Sequence, residues 1–565
     1  MIFEAYAKRL ERERPLWLCF KALLYIHEHK VIRYFLLLFI LLNFPIQNLN
    51  ASMKDEIPIS YKGRFRPFEA YSKLWLQEIY HAEQIKKNDQ EAFNLNDGSA
   101  ETLVWNMHFL GAEAWNDAPL IWINQAALKS ELGLDPKVSR FSFNTLNKLG
   151  VKNSELKKIL AIYQETTKLP LNALPDAIKN GEWHSLRILK SAHNLTKYSE
   201  KTWSELKNLY LQLEHSIQTK NTREAHIITE KFANSLMQAY EGVAGKAFTY
   251  AHGKALYYPT ITQLKVEKFY IHTPLLEICI ILYFLACILL LLNRSTLGIA
   301  VIILAFLLHS FILALRCYIL KRPPVSNMFE TVIYVPWIAV LISLGMAYLF
   351  RNRLILIAAS LLTLSLLVIL KITHLNSHLE NVQAVLDSQF WLIIHVLMVV
   401  GSYGLFALSG VLGHFYLFNS MINNKETAVM KSQSSLILQS MYLGVALLVP
   451  GTILGGVWAA QSWGRFWDWD PKESWAFISI CVYLMWIHAH RFRHIGNFGL
   501  AVGAIVGLQA ISFTWYGVNY ILGAGLHSYG FGSGGEVYYY LFLIAETLFI
   551  ILSGLLNKKA PLSNK

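Results

Sequence analysis

The chain has 565 residues, of which 54% are hydrophobic and only 16% are charged. These proportions are typical of a membrane protein and exclude an ordinary soluble globular domain. The formal net charge is +13, but the basic residues are scattered at the ends of apolar segments, which argues against nucleic-acid binding. The five cysteines form no C-x-x-C pair, which excludes a zinc ribbon, a thioredoxin-like motif and a C-x-x-C-H haem attachment site.

The first half of the chain is predicted to contain one membrane anchor and one polar domain. Residues 1–30 are polar and basic and are expected to form a cytoplasmic segment, followed by an apolar run over 31–48 that predicts an uncleaved anchor. The stretch 50–273 is polar, and residues such as Leu206 and Leu213 recur on one face of a helix. A mostly helical extracytoplasmic domain, long enough to bury its own core, is therefore expected here.

The second half of the chain, residues 274–557, is predicted to be a helical membrane domain followed by a cytoplasmic tail over 558–565. Its apolar runs lie near 275–293, 297–316, 331–350, 354–371, 391–418, 435–457, 474–490, 497–517 and 537–556. With the anchor they predict an all-α, polytopic helical membrane protein of about ten spans. The basic loops place the polar domain on the outer side of the membrane. Arg316, Lys321 and Arg322 fall on that side against the rule and need another explanation.

Five tryptophans lie within the eighteen residues WAAQSWGRFWDWDPKESW, from Trp458 to Trp475. Tryptophan is a normal anchor at a membrane interface, but anchors usually come singly. Crowded into one outer loop, they indicate an aromatic surface for a large planar ligand such as a porphyrin. We call this segment the tryptophan loop.

The acidic residues of the tryptophan loop have a structural explanation. Asp470, Pro471 and Glu473 stand at the positions expected for the N-cap, the first residue and the third residue of the next helix. In such a capping box both acidic side chains bind free backbone N–H groups. Trp463, Trp467 and the neighbouring Trp469 have no comparable structural role, so they are the stronger candidates for ligand contacts.

Three histidines are candidate ligands for iron, because imidazole is a strong axial ligand of haem. His395 lies near the outer start of a span, His527 lies in the outer loop GLHSYGFGSGG, and His488 lies near the cytoplasmic end of another span. Histidines at helix ends more often serve only as hydrogen-bonding groups, and His488 also adjoins His490 and His494 in a basic stretch. The tryptophan loop favours His395 and His527 as ligands on the two faces of one porphyrin.

The run WGRFWDWDPKESW resembles the tryptophan-rich signature of haem-handling proteins in cytochrome c maturation. The chain is most similar to the CcsA (ResC) family, the channel-like half of the System II cytochrome c synthase. The runs RPPVSNMFE at 322–330, IHVLMVVGSYG with His395 and GLHSYGF with His527 extend the resemblance over most of 275–556. The segment 61–76 shows a weaker resemblance to extended versions of the synthase.

The resemblance implies that haem b is transported and then presented outside a bacterial inner membrane. His395 and His527 would ligate the iron externally, and His488 would help carry haem across from the cytoplasm. The residues expected around the haem come from the tryptophan loop: Trp463, Gly464, Trp467, Trp469 and Asp470.

The resemblance also implies partners. Complete fused synthases carry a second membrane histidine in a CcsB (ResB) half, which the anchor 31–48 lacks, so a separate CcsB-like membrane protein is expected. The acceptor would be an apocytochrome c with a C-x-x-C-H segment, whose thiols need separate thiol-reducing proteins. Two alternatives stay open: a haem-delivery subunit of the System I type, and a membrane scaffold or transporter that binds no haem. Whether the chain takes part in thioether formation as an enzyme also stays open.

Overall fold

The computed structural model describes most of the chain between residues 53 and 557. The gaps are 94, 96, 150–152, 169–170, 176–182, 192, 195–197, 250–254, 374–378, 380–387, 424, 524 and 526–534. The predicted N-terminal segment, the anchor 31–48, the tail 558–565 and His527 therefore lie outside the described residues.

The polar stretch forms a mostly helical domain, as predicted. Its helices are α1 (Phe68–Tyr80), α2 (Gln90–Phe93), α3 (Ala100–Leu110), α4 (Ala126–Glu131), α5 (Phe143–Lys148), α6 (Ser154–Thr167), α7 (Glu200–Gln218) and α8 (Thr222–Glu241). Its strands pair as antiparallel hairpins: β1 (Pro58–Tyr61) with β2 (Arg64–Pro67), β3 (Ile121–Trp122) with β4 (Arg140–Phe141), β5 (Asn172–Pro175) with β6 (Trp183–Ser185), and β7 (Ala247–Thr249) with β8 (Ala255–Tyr257).

Helix α7 shows why this domain folds on its own core. The side chain of Ser199 caps its first turn by accepting a hydrogen bond from Thr202 N. Leu206 and Leu213 are fully buried, as their helical spacing predicts. They belong to one apolar cluster that runs from Ile57, just before β1, to residues of α8.

The membrane part is a bundle of ten helices among the described residues. They are α9 (Ile261–His272), α10 (Leu275–Leu291), α11 (Ser295–Leu320), α12 (Met328–Phe350), α13 (Leu354–Ile372), α14 (Leu392–Ile422), α15 (Ala428–Trp463), α16 (Pro471–Arg491), α17 (Asn497–Leu522) and α18 (Glu536–Leu556). All nine predicted apolar runs are thus helical, which confirms the all-α polytopic class.

Not every helix is equally apolar. Seven described helices are long and apolar enough to cross a membrane, and the pair α9–α10, bent by 52°, counts as an eighth if it is one span. The predicted span in α16 does not reach that apolar composition. Its 21 residues nevertheless make a rod of about 30 Å, the thickness of the hydrocarbon layer, and it packs along α15 and α17.

A buried ion pair joins the C-terminal end of α11 to the N-terminal end of α12. Arg316 donates to Glu330 Oε1 at 2.9 Å, and neither side chain is exposed. Arg316 also donates to the hydroxyl of Tyr270 in α9 at 3.0 Å, and Arg322 lies 3.9 Å from the same carboxylate. The second oxygen, Oε2, accepts from Ser326 N at 2.9 Å and Ser326 Oγ at 2.7 Å. Two of the three cations that violate the charge rule, Arg316 and Arg322, thus share Glu330 as a local partner.

Helix α9 connects the polar domain to the bundle. Arg64 of β2 pairs with Glu267 of α9 and also donates to the backbone carbonyl of Leu379 at 2.6 Å. Lys268 of α9 lies 3.6 Å from Glu56. Since α9 packs on α11 as well, the domain rests on the end of the bundle where Arg316 and Glu330 meet; this end is called the domain-side end below.

We expect Glu330→Ala to destabilise the membrane domain strongly. The substitution leaves Arg316 as a buried charge without its carboxylate, a change that costs about 3–5 kcal/mol. Thermal unfolding of the purified protein in detergent measures the effect. The matched control is Glu277→Ala, which breaks a half-exposed pair with Lys371 and should cost less than about 1 kcal/mol. Equal losses for the two variants would contradict the structural role of the buried pair.

We also expect Glu101 in α3 to make the polar domain less stable as the pH rises. Burial raises the pKa of this carboxyl from 4.5 to about 7, against the lowering effect of a backbone hydrogen bond. Between about pH 4.5 and 7 the folded domain keeps a proton that the unfolded chain loses, so stability falls with rising pH. Glu101→Gln should remove this dependence, and the exposed Glu131→Gln should not. Amide hydrogen exchange of α3 at pH 5 and pH 7, corrected for intrinsic rates, measures it; a Glu101→Gln profile unchanged from wild type would contradict the assignment.

Candidate functional site

An open cavity lies at the domain-side end of the bundle, between α12, α14, α15, α16 and α17. Its empty volume, the open mouth included, is about 960 Å³. The walls come from the first turns of α12, α14 and α16 and the last turns of α15 and α17. Most lining side chains are apolar or aromatic, with a small number of polar groups among them.

His395 is held in the cavity wall by a specific backbone contact. It lies in a π-helical turn, Leu392–Val396, at the start of α14, and π-turns are frequent at functional sites. Its Nδ1 donates to the carbonyl of Gly451 in α15 at 2.7 Å, so the neutral ring carries its lone pair on Nε2. A metal-binding histidine characteristically donates its other ring nitrogen in this way. The ring of Trp458 packs edge-on against this imidazole, with 5.8 Å between the ring centroids and an interplanar angle of 63°.

A glycine makes room for this imidazole. A Cβ at Gly455 would lie 2.5 Å from Cε1 of His395, far inside the sum of van der Waals radii. Gly451, one helical turn earlier, is similarly tight against Val399 and also provides the carbonyl that orients the ring. The two glycines thus allow α14 and its His395 to lie close to the backbone of α15.

Of the five residues of the tryptophan loop expected around the haem, one, Trp467, lies in the cavity wall. Trp467 lines the cavity, and its indole Nε1 is buried without a hydrogen-bond partner in the described part of the chain. Trp469 is 71% exposed and meets Trp467 edge-on at 5.8 Å. Trp463 ends α15, where Gly464, at φ +73°, forms the C-cap. Trp463, Gly464 and Trp469 do not line the cavity wall, and their contact with a ligand stays a prediction.

The predicted capping box is confirmed. Asp470 accepts a hydrogen bond from Lys472 N at 3.0 Å, and Glu473 Oε2 accepts from the backbone N–H groups of Asp468 and Asp470. The backbone of Gly525 approaches so closely that a Cβ there would lie 2.3 Å from Asp470 Oδ2. Asp470 is buried by this contact. Its observed role is to start α16, and it does not line the cavity.

His488 lies at the opposite end of α16. The 16 residues that separate it from Lys472 correspond to about 24 Å along the helix. Its Nδ1 donates to the carbonyl of Leu484 at 2.7 Å, its ring stacks on Phe492, and its side chain is exposed on the outside of the bundle. The structure thus does not bring His488 to His395, in agreement with the predicted location near the other membrane surface.

Several cavity residues were missed from the sequence. They are Tyr403, Lys472, Trp515, Asn519 and, although it belongs to the tryptophan loop, Trp458. Trp515 and Asn519 lie in a ten-residue π-helical segment, Phe513–Leu522, for which the sequence carries no clear signal. Trp515 Nε1 donates to the hydroxyl of Thr331 in α12 at 3.0 Å, which fixes its ring against the cavity.

Comparison with known proteins assigns this arrangement to a class. The family model described as "Cytochrome C assembly protein" matches residues 325–527, a span that contains every residue named above in the cavity wall. This match places the chain among the helical membrane proteins that act in cytochrome c assembly. The chain belongs to the CcsA family of cytochrome c biogenesis proteins, as the resemblance predicted, and has a role in cytochrome c maturation.

Three relatives show the extent of the similarity. Protein NrfI of Wolinella succinogenes is 35% identical over 234 residues, which are 40% of this chain and 25% of that protein. The cytochrome c biogenesis protein CcsA of Prochlorococcus marinus is 30% identical over 37% of this chain and 75% of its own length. CcsA of Solanum bulbocastanum is 30% identical over 37% and 77%. The chain thus matches most of CcsA but only about a quarter of NrfI.

We expect Gly455→Ala to abolish or strongly reduce cytochrome c maturation. The added methyl group would overlap the imidazole of His395 and push it away from Gly451. The matched control is Gly345→Ala in α12, where a Cβ meets nothing within 4 Å. Formation of holocytochrome c in cells that depend on this protein measures the effect. Normal maturation with Gly455→Ala, at wild-type protein abundance, would contradict the importance of this close approach.

Proposed function

We propose that the chain holds haem b in the cavity beside His395 and presents it for covalent attachment to apocytochrome c. The observation that carries the proposal is the orientation of His395. Its Nδ1 hydrogen bond to Gly451 leaves Nε2 as the basic nitrogen, the atom that binds iron. Neutral imidazole with a fixed tautomer is the form in which histidine ligates a metal.

The cavity fits a large, flat and partly apolar molecule. Its wall is mainly aromatic and aliphatic, with Trp458, Trp467 and Trp515 from three different elements. Gly455 and Gly456 of α15 also lie in the wall, where their missing side chains leave room for the rings of His395 and Phe466. Aromatic rings pack well against another extended π-system, and the polar groups are few enough to orient the ligand rather than to solvate it.

Haem supplies vinyl groups to which the cysteine thiols of a C-x-x-C-H segment add, forming thioether bonds. The chain itself binds and orients: His395 holds the iron, the aromatic wall excludes water, and the open mouth admits the acceptor peptide. We propose His527 as the ligand on the opposite face; it lies outside the described residues. The four described cysteines are free thiols and line no part of this cavity, so reduction of the acceptor is assigned to separate thiol-reducing proteins.

The proposal includes a membrane and partners. The protein is an integral membrane protein, and we place it in a bacterial inner membrane with the polar domain and the cavity on the outer side. Haem would enter near His488 at the cytoplasmic side. A CcsB-like membrane protein would complete the synthase, and the thioether-forming activity would belong to that complex.

We expect the purified wild-type protein to carry haem with a bis-histidine absorption spectrum. His395→Ala should lose that spectrum, because the iron loses one axial ligand. The matched control is His414→Gln in the same helix: His414 bonds Gly410 O and Glu546 and does not line the cavity. The ferric and ferrous spectra, recorded with and without added imidazole, measure ligation.

Different results would point to the alternatives. If wild-type protein purified from cells that make haem shows no haem spectrum, the result would contradict the proposal and favour a scaffold or transporter. A spectrum that survives His395→Ala unchanged would move the ligand elsewhere. Release of the haem to a soluble chaperone, with no requirement for a CcsB-like partner, would identify a delivery subunit of the System I type.

A further inference from the structure

Lys472 is a cation in the cavity wall without an acidic partner among the described residues. Its Nζ donates to two backbone carbonyls of the π-helical segment, those of Thr514 at 2.7 Å and Trp515 at 3.1 Å. An ammonium group has three N–H donors, so one remains. The side chain lines the cavity beside Trp467, and the remaining donor is available to a ligand there.

Two other polar atoms of the same cavity are buried without a hydrogen-bond partner in the described part of the chain. They are the indole Nε1 of Trp467 and the amide Oδ1 of Asn519. In a π-helix, residues five apart lie one turn apart, so Asn519 lies directly one turn after Thr514, where Lys472 ends. The amide of Asn519 can present its NH2 group by a half-turn of the side chain. A buried polar group without a partner is costly. Two such atoms beside the remaining donor of Lys472 indicate a polar ligand group.

The two neighbouring carboxylates, those of Asp470 and Glu473, form no ion pair with the Lys472 ammonium. Glu473 also lines the cavity, but its Oε2 accepts the backbone N–H groups of Asp468 and Asp470. Asp470 accepts the backbone N–H of Lys472, and neither acid lies within 4 Å of the Lys472 ammonium. The capping box therefore commits both acids to the start of α16. The hydrogen-bond partners of the ammonium are thus the two backbone carbonyls, and Asp470 attracts it only through space.

We propose that Lys472, with Trp467 and Asn519, forms a subsite that binds a carboxylate of the ligand. This inference rests on the proposed function, under which the carboxylate is a haem propionate. An ammonium–carboxylate contact is a charge-assisted hydrogen bond, and it gains strength where water is excluded. This contact would also fix the orientation of the nearly symmetric porphyrin in the cavity. Its propionate edge would lie at α16 and α17, and its vinyl edge would lie away from them.

The test compares haem b with its dimethyl ester, which has the same ring and iron but no carboxylates. The full-length protein in detergent is loaded with each porphyrin, and transfer to apomyoglobin gives the dissociation rate. Wild-type protein should release the ester about tenfold faster than haem b, as expected for the loss of one charge-assisted contact. Lys472→Met should release haem b about tenfold faster than wild type and should no longer distinguish the two porphyrins. Lys472→Arg should retain part of the discrimination.

Controls separate this subsite from general damage. Lys371→Met removes a lysine that pairs with Glu277 on the other side of the bundle and should behave as wild type. Equal release of haem b and its ester by wild-type protein, or equal acceleration of both by Lys472→Met, would overturn the subsite. The wild-type comparison decides even if Lys472→Met fails to fold. Wild-type protein that binds neither porphyrin would overturn the proposed function itself.

Discussion

A carboxylate that has no access to water determines how the domain-side end of the bundle is built. Glu330 is fully buried, and in a hydrocarbon environment such a charge persists only if it is paired and hydrogen-bonded. Arg316 supplies the opposite charge, and Ser326 donates two hydrogen bonds to the second carboxylate oxygen of Glu330. Asn327 accepts the N–H of Glu330 and caps α12. The first turn of α12 is therefore fixed, and its Met328 and neighbouring polar residues form one wall of the cavity.

Two π-helical segments complete the cavity from this fixed wall. Thr331 of α12 accepts the indole N–H of Trp515, so the segment Phe513–Leu522 is bonded to the same turn. Lys472 binds two carbonyls of that segment, which bonds α16 to α17. On the other side, the π-turn at the start of α14 presents His395 to Gly451. Both irregular segments lie at the cavity and nowhere else in the described bundle, as expected where function selects local geometry over regular helix.

The sequence predicts the features that local chemistry determines. The spans follow from apolar runs, and the capping box at Asp470 follows from spacing alone. His395 is predicted as a ligand because imidazole is a strong axial ligand of haem and the tryptophan loop favours a porphyrin beside it. The π-segments could not be found this way, since a π-turn differs from an α-turn by one residue and depends on tertiary bonds such as that of Lys472. For the same reason the sequence does not predict that Trp458 and Trp515 line the cavity. Trp469, in contrast, is more exposed than its place in the tryptophan loop suggests.

The exposure of His488 indicates what could contact the outside of the bundle. Its ring lies on the outside of α16, about 24 Å from the start of that helix, with Nδ1 bonded to Leu484. Met485 and Phe492 are exposed on the same stretch, and α16 is too polar to count among the membrane spans by composition. An imidazole facing lipid is unfavourable unless a partner or a substrate covers it. Phe492 stacks on the ring, but the side chain of His488 remains exposed. The proposed route for haem and the proposed membrane partner would therefore meet on the same face of α16.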